Sequence, residues 1–540
     1  MASHKGNQPQ AVRLGLVFLG AFLIFSVALW LTRPDNRWNL VQNFAMLFFV
    51  TVLLSQLLFR EQAAQEISSS EGNDKPGLLL ALGMGALVYL PALSVYFVSD
   101  DFVHLQKASA PLLRIIREQF TQGQVEPSGY HLFFRPLGFA SLALDYRLWH
   151  TWAPGHHLVN ILLHLCVIAG IFFFCRALEL PTSFATTAAL LFAVLPINVQ
   201  AVTYIAARFD MLATALTVWA LVFYARFRIR GLKTAYGFAL GLFLLATCAK
   251  ESAYVLPFLL LLVEFFLLRR LHLKPVLGFV AVAALSFLYR LHTLQGIGGY
   301  QMAGGSTAAL TIGRKTLTAL FVRAPSEALL GYNWFAPSAN RFVLLAAATT
   351  ALLFAMATTV KVPADMRRYI WFSLCWLIIT PLPAHSLLWN RDESLLLSRV
   401  IYLPAIGVAL LLATMLQGIS ERRLRQVLTG ALTVLFILGL SHNLSAWRAN
   451  SRITRELLAD LKRIDPSPPA GAEFVILGLP DQVYGVRFFY NGLTDAVQLD
   501  YGRSDLTARR SATIAPSSAR PVINLQWSGG NEGRLLRASP

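Results

Sequence analysis

Charge is scarce in this chain and cysteine nearly absent. Charged residues fill 14% of its 540 positions, where a soluble domain carries about 25%, so a soluble globule of ordinary composition is excluded. Acids are the scarcer sign: 28 Asp and Glu stand against 46 Lys and Arg, for a net charge of +18. The excess does not point to nucleic acid. The basic residues sit mainly in short loops between apolar runs, and no basic helix interleaved with aromatics is present. The four cysteines, Cys166, Cys175, Cys248 and Cys375, all fall in apolar segments. None forms a metal-type pair, and the polar loops hold none, so neither a zinc site nor a disulfide framework is expected. They read as small core residues. No small-residue cleavage site follows the first apolar run at 12–31, which reads as a retained helix rather than a signal peptide.

What the chain does have is apolar length: 56% of it is hydrophobic. Runs reaching the ~20 residues that cross a bilayer core recur roughly thirteen times. They lie near 12–31, 41–59, 77–97, 155–176, 183–197, 203–225, 233–249, 252–268, 275–291, 341–360, 367–383, 399–417 and 425–441. Placing the N-terminus in the cytoplasm puts Arg60, Lys75, Arg226, Arg228, Arg230, Arg269, Arg270, Lys361, Arg367, Arg368, Arg422, Arg423 and Arg425 on the cytoplasmic side, as the positive-inside rule requires. Two long loops, 98–153 and 292–340, and the polar C-terminal part then face outward. Within the first, 112–120 is amphipathic, either lying on the membrane surface or packed as a loop helix.

Beyond Ser441 the chain turns polar. An amphipathic helix at 446–461 precedes strand-like runs at 474–477, 486–490, 496–499 and 522–525, separated by Gly, Pro and Asn. The expected organisation is an all-α polytopic membrane domain at 1–441 and a small, mostly-β extracytoplasmic domain at 442–540, with no solenoid repeat.

Asp100 and Asp101 stand together at the mouth of the third span. A carboxylate there can take the proton of an attacking hydroxyl or stabilise an oxocarbenium-like transition state; the alternative is a capping or interfacial pair. Adjacent acids can also hold a divalent cation, but no further acids cluster nearby in sequence, so no cofactor is expected. Arg135, beside Pro136, has the fork geometry to clamp a phosphate or to hold a carboxylate such as Asp145. His157, Asn160 and His164 share one helix face, as a structural network or as a substrate pocket. Arg208 lies about one turn into an apolar helix, where a charge is costly. Asp210 is too close in sequence to face it, so its partner is an acid from elsewhere or a lipid phosphate. Lys250, in Lys250-Glu251-Ser252, is a phosphate contact or half of an interfacial ion pair. Arg399 and Tyr402 open a late helix, as site residues or as ordinary interfacial anchors. Arg135, Arg208, Lys250 and Arg399 all fall on the outer side against the positive-inside trend, and a lipid-linked phosphate is their natural partner.

The stretches Asp100-Asp101-Phe102, Phe134-Arg135-Pro136-Leu137, Leu144-Asp145-Tyr146-Arg147-Leu148-Trp149 and Gly155-His156-His157-Leu158-Val159-Asn160-Ile161-Leu162-Leu163-His164 together resemble the first-loop region of GT-C glycosyltransferases. The nearest likeness is to the protein O-mannosyltransferase-like branch whose eukaryotic members carry tetratricopeptide repeats. The stretches 191–210, Lys250-Glu251-Ser252 and 399–404 fit the same branch, so the resemblance spans roughly residues 80–450. It implies a GT-C fold and a membrane glycosyltransferase. Such an enzyme moves a hexosyl or pentosyl group from a polyprenyl- or dolichyl-phosphate donor to a protein or glycan acceptor, with inversion and without a metal. One acid of the Asp100/Asp101 pair would be the base, Asp100 by preference. Arg135, Arg208, Lys250 and Arg399 would bind the donor phosphate; His157, Asn160, His164 and Tyr402 would line the pocket. The chain departs from the branch in about two extra helices before the first loop, by length of apolar runs, and in a β-like domain where the branch has repeats. The expected location is a bacterial inner membrane with the site facing the periplasm, or the endoplasmic reticulum membrane in a eukaryote. The alternatives are a flippase for lipid-linked sugars or a non-catalytic partner in glycan assembly. Transporters show paired halves with broken helices, and no such pairing is visible.

Overall fold

The computed structural model describes residues 44–53, 73–122, 124–125, 131–300, 308–336, 339–389, 395–514, 520–528 and 534–537. The expected first span at 12–31 lies outside them. Six described helices are long and apolar enough to cross a membrane: Asp74–Ser94, Ala153–Ala177, Ile205–Arg230, Leu273–Leu294, Ser398–Gln417 and Arg422–Ile464. Two bent pairs raise the number to eight. Thr182–Val194 turns by 51° into Pro196–Thr203, and Arg367–Ile379 turns by 59° into Leu382–Leu388. Each bend carries proline, which removes a backbone donor and clashes with the preceding turn. The protein is thus an integral membrane protein, but the roughly thirteen spans expected from apolar length are not found among the described residues. Phe44–Leu53, Lys233–Ala249 and Leu344–Thr359 are shorter apolar helices. The run at 252–268 breaks into the pieces Glu251–Val255, Leu256–Leu262 and Val263–Leu267.

Ser398–Gln417 forms the centre of the bundle, with 94% of its apolar window buried. Lipid-facing residues such as Leu79, Leu87, Val427 and Val434 lie on the outside. The bundle has two chemically distinct ends. At one, Asp74 pairs with Arg176 at 2.8 Å, Glu264 pairs with Arg228 and accepts the His272 N–H at 3.0 Å, and Arg368 donates to the Leu267 carbonyl. At the other stand Asp100, Arg135, Arg208, Lys250 and Arg399.

That second end is capped by the first long loop. Its helices are Asp100–Ala108, Leu112–Thr121 and Pro136–Trp149. A three-stranded antiparallel ribbon of Gln124–Val125, His131–Phe133 and Gly299–Tyr300 ties it to the second loop. Leu112–Thr121 is a packed loop helix: Ile115 and Gln119 are buried, and Gln119 accepts the Arg135 backbone N–H at 3.2 Å. The second loop is largely helical between Arg314 and Leu330, and every residue of Ala324–Leu330 is buried.

Two expectations for the C-terminal part need correction. The helix begun at Arg422 does not stop at Ser441 but runs unbroken for 43 residues to Ile464. The small domain after it carries six strands and one helix among the described residues. Residues 496–499, expected as a strand, belong to the helix Leu493–Tyr501. That helix crosses over between Glu473–Leu477 and Thr507–Ser511, which pair in parallel. Val522–Trp527 pairs in parallel on the other side of Glu473–Leu477 and Leu535–Arg537 closes the edge antiparallel.

Candidate active site

The Asp100 end of the bundle gathers three buried ionic groups. In the first, Asp145 lies 2.7 Å from Arg208 Nη2. Arg208 is fully buried and also donates to Asn160 Oδ1, Ser141 Oγ and the His156 carbonyl. Its partner is therefore the acid from elsewhere, and its donors are held by the first loop and the following helix. Of the two readings of Arg208, the geometry shows the protein acid: the guanidinium is held on four protein acceptors inside the fold. Asp145, considered as a partner of Arg135, belongs instead to Arg208.

In the second group, Lys250 Nζ lies 2.5 Å from Asp210 Oδ1 and Arg399 Nε lies 3.9 Å from Asp210 Oδ2. Gln200 sets the Arg399 turn: its Oε1 accepts the Arg399 backbone N–H at 2.7 Å and the Ser398 hydroxyl at 3.2 Å. In the third, Arg135 grips Glu251 with Nη2 at 2.6 Å and Nε at 3.2 Å, and Arg290 Nη1 stands 3.9 Å from Oε2, the oxygen that also accepts Arg135 Nε. Phe133 stacks under the Arg135 guanidinium, 4.0 Å from its ring centroid. Lys250 and Glu251 are neighbours in sequence, so the second and third groups adjoin. In each, one carboxylate is approached by two cations. Glu251 and Arg290 also line one end of a cavity of about 500 Å³ whose other walls are apolar, including Phe258, Val280, Phe287 and Leu387.

Asp100 and Asp101 open the helix Asp100–Ala108 directly after Ser99, whose φ of +48° is unusual for a residue other than glycine. The adjacent acids have opposite surroundings. Asp101 is buried, and its two oxygens accept the backbone N–H groups of Val98 at 3.1 Å and Ala206 at 2.8 Å. Burial pushes its pKa well above the ordinary value despite those bonds. It clamps the loop to the start of the helix Ile205–Arg230. Asp100 is half-buried. Its Oδ1 accepts Asn491 Nδ2 at 2.8 Å, and its backbone N–H donates to the Tyr204 hydroxyl at 3.2 Å. Burial penalises its charge, but the Arg399 cation and the Asn491 bond outweigh the penalty and hold its pKa below the usual carboxylate value. Burial pushes His104, one turn on, down to about 3, so it is neutral near pH 7. Asp100 is thus the member of the pair that can act as an ionised base. Among the described residues, no three of His, Cys, Asp and Glu converge as a metal site.

His157, Asn160, His164 and Tyr402 are buried and lie on one wall, but they face the protein. His157 bonds the Val95 carbonyl at 3.0 Å. Asn160 donates to the carbonyls of Val202 and Tyr204. His164 Nδ1 bonds the Tyr402 hydroxyl at 2.6 Å. The bonds shown for these four run to backbone and to one another, with Asn160 Oδ1 also accepting from Arg208, while His157 Nδ1 is buried with no hydrogen-bond partner among the described residues.

No protein-family model matches the chain. A protein O-mannosyl-transferase of Caenorhabditis elegans, F38B6.6, is 26% identical over 369 residues, 64% of this chain and 51% of the worm protein. Tmtc1 of Drosophila melanogaster is 31% identical over 189 residues, 33% of this chain and 22% of the fly protein. TMTC2 of Mus musculus is 29% identical over 209 residues, 37% and 25% of the two chains. The chain is similar to protein O-mannosyl-transferases. It spans about half the length of the worm relative and less of the others. Among solved structures, ArnT from Cupriavidus metallidurans aligns over 83% of this chain and 93% of its own, with a TM-score of 0.44 and 13% identity. The Archaeoglobus fulgidus oligosaccharyltransferase aligns over 82% and 65%, with a TM-score of 0.42 and 12% identity.

In this O-mannosyl-transferase-like chain, sequence reasoning singled out Arg135, Lys250, Arg399 and Asp100, which the structure brings to one end of the bundle as candidates. It missed Arg290, which carried a signal as an arginine at the end of an apolar run. It also missed Asn491, which carried none: a single Asn in a polar domain gives no hint of a contact 391 residues away.

Proposed function

We propose that this protein is a membrane glycosyltransferase that moves one sugar from a polyprenyl-phosphate donor to a hydroxyl of a protein or glycan acceptor, inverting the anomeric carbon. The observation that carries the reading is the position of Asp100. It is a half-buried acid whose ionised form is favoured by the Arg399 cation, beside two adjoining groups in which Lys250, Arg399, Arg135 and Arg290 gather around Asp210 and Glu251. Lys250 and Arg399 suit the donor phosphate; Arg290 and the Glu251 held by Arg135 line the largely apolar cavity, which suits the first units of a lipid tail. The acceptor hydroxyl gives its proton to Asp100 as its oxygen bonds the anomeric carbon. The bond from that carbon to the phosphate oxygen breaks, and polyprenyl phosphate leaves with the electron pair. A phosphate paired with Arg399 draws that cation's charge away from Asp100, so donor binding raises the proton affinity of the base when it is needed. The names of the relatives support a mannosyl group and a protein acceptor. The distribution of basic residues supports a site facing away from the cytoplasm.

The test supplies purified protein in liposomes with polyprenyl-phosphate mannose and hydroxyl-bearing peptides, with other lipid-phosphate sugars in parallel. Transfer of the sugar with release of polyprenyl phosphate is expected. Movement of the intact lipid-linked sugar across the bilayer, with no transfer from any donor, would replace this reading with transport.

A further inference from the structure

A second cationic site lies away from the Lys250 and Glu251 groups. The helix Arg422–Ile464 is 43 residues long, about 65 Å at 1.5 Å per residue, while a hydrocarbon core occupies only about 20 residues of it. One of its faces can be followed along its length. Val427, Val434 and Leu438 are exposed apolar residues. Ser441 and Ser445 come next, then Arg448, Arg452 and Arg455, all three exposed. These positions advance by steps of three, four or seven residues and form one stripe. Counting about 20 residues from Val427 puts Arg448 at the edge of the hydrocarbon, with Arg452 and Arg455 about 6 and 10 Å further out.

The three arginines border a groove of about 600 Å³ that also includes Ser94, Ser445 and Glu456. Ser94 is the last residue of the span Asp74–Ser94, and the exposed Leu87 and Leu90 sit just below it. The groove therefore opens where two lipid-facing helix surfaces reach the interface. Its charge is positive. Glu456 approaches Arg452 only to 3.8 Å, with the side chains 53% and 65% exposed, and such a pair is weak. Arg455 lies over the Tyr96 ring at 5.0 Å, and Tyr96 packs edge-on against Phe102 of the Asp100 helix. The groove thus backs onto the segment that carries Asp100. Three arginines at the non-cytoplasmic end of a span oppose the usual topological bias, and guanidinium groups pair well with phosphate.

We infer that this groove binds a phosphate group, and that the phosphate belongs to an anionic lipid headgroup. The position of Arg448 at the end of a lipid-exposed stripe favours a lipid over a free anion. The inference rests on the proposed orientation for the leaflet and for the topological bias, and on the groove's own geometry for the rest. Its test measures binding rather than sugar transfer, so it can fail or succeed independently of the proposed activity.

Native mass spectrometry of the full-length protein in detergent, titrated with phosphatidylglycerol and with phosphatidylcholine, gives the answer. At least tenfold tighter retention of phosphatidylglycerol is expected. The R448Q/R452Q/R455Q variant should lose that preference, and R448K/R452K/R455K should keep most of it. Should the triple Gln variant fail to fold, the single Arg452→Glu variant should weaken retention in the same direction. Unchanged retention in the folded Gln or Glu variant overturns the proposal. So does the absence of any preference in the wild type. Displacement by inorganic phosphate at the concentrations at which phosphatidylglycerol binds marks a free-anion site and overturns the lipid assignment.

Discussion

Both carboxylate oxygens of Asp101 accept backbone N–H groups, whereas Asp100 faces Asn491 and the Arg399 charge. The pair was legible in the sequence as two acids in an apolar setting; their division of labour was not, because it depends on backbone from Val98 and Ala206 and on a side chain from the C-terminal domain. The same holds for the cations. Arg208 was legible as a charge needing a partner, but the partner, Asp145, comes from the helix Pro136–Trp149 of the first long loop. Predictions at this scale concern protonation and pairing. A base must be ionised, and the pKa of Asp100 is lowered from an ordinary 3.8, so kcat/KM should stay level on acidification until the pH falls below that value. Arg399→Gln removes a lowering charge and should move the acid limb to higher pH in a pH–rate profile. Asp145→Ala strands the buried Arg208, and loss of one partner of a buried pair costs about 3–5 kcal/mol. It should lower the melting temperature in detergent sharply, whereas Lys250→Gln should act mainly on the KM for the donor.

The long helix Arg422–Ile464 and the domain it leads into show what pattern reading missed at the scale of elements. The change to polar composition after Ser441 marks departure from the membrane, not the end of the helix; no Gly or Pro interrupts 441–464, and that absence was the available sign of continuity. The misread strand at 496–499 is bracketed by Gly492 and Gly502, both at positive φ, which frame a short helix. Gly492 has φ +77°, and a Cβ there would come within 2.6 Å of the Ser99 carbonyl oxygen. Beside it, Phe489 stacks on Phe102 with ring centroids 5.7 Å apart, and the Asn491 backbone N–H reaches Ser99 Oγ at 3.4 Å. The C-terminal domain is thereby latched to the helix that carries Asp100. Gly492→Ala should push the latch away and lower kcat while the bundle stays folded. Asn491→Ala should raise the acid limb of the pH profile without changing the melting temperature by more than a few degrees.

Across the whole molecule, the division into two ends was the most legible feature, because apolar runs and basic loops report the bilayer directly. The number of spans was less so, since apolar length does not distinguish a straight span from the bent pairs at Pro196 and Pro381, or from pieces such as Leu256–Leu262. The two-ended arrangement predicts opposite accessibilities. Ser109→Cys should react with a membrane-impermeant maleimide applied from the non-cytoplasmic side, and Arg230→Cys only after the membrane is opened. The account turns on one carboxylate, and one comparison tests it most directly: sugar transfer from a polyprenyl-phosphate donor by Asp100→Asn and by wild type, in liposomes, with donor binding measured alongside. Loss of a general base lowers kcat by about 10²–10⁴-fold, so the predicted result is a fall of that size with donor affinity retained. Transfer by Asp100→Asn at the wild-type rate would contradict it.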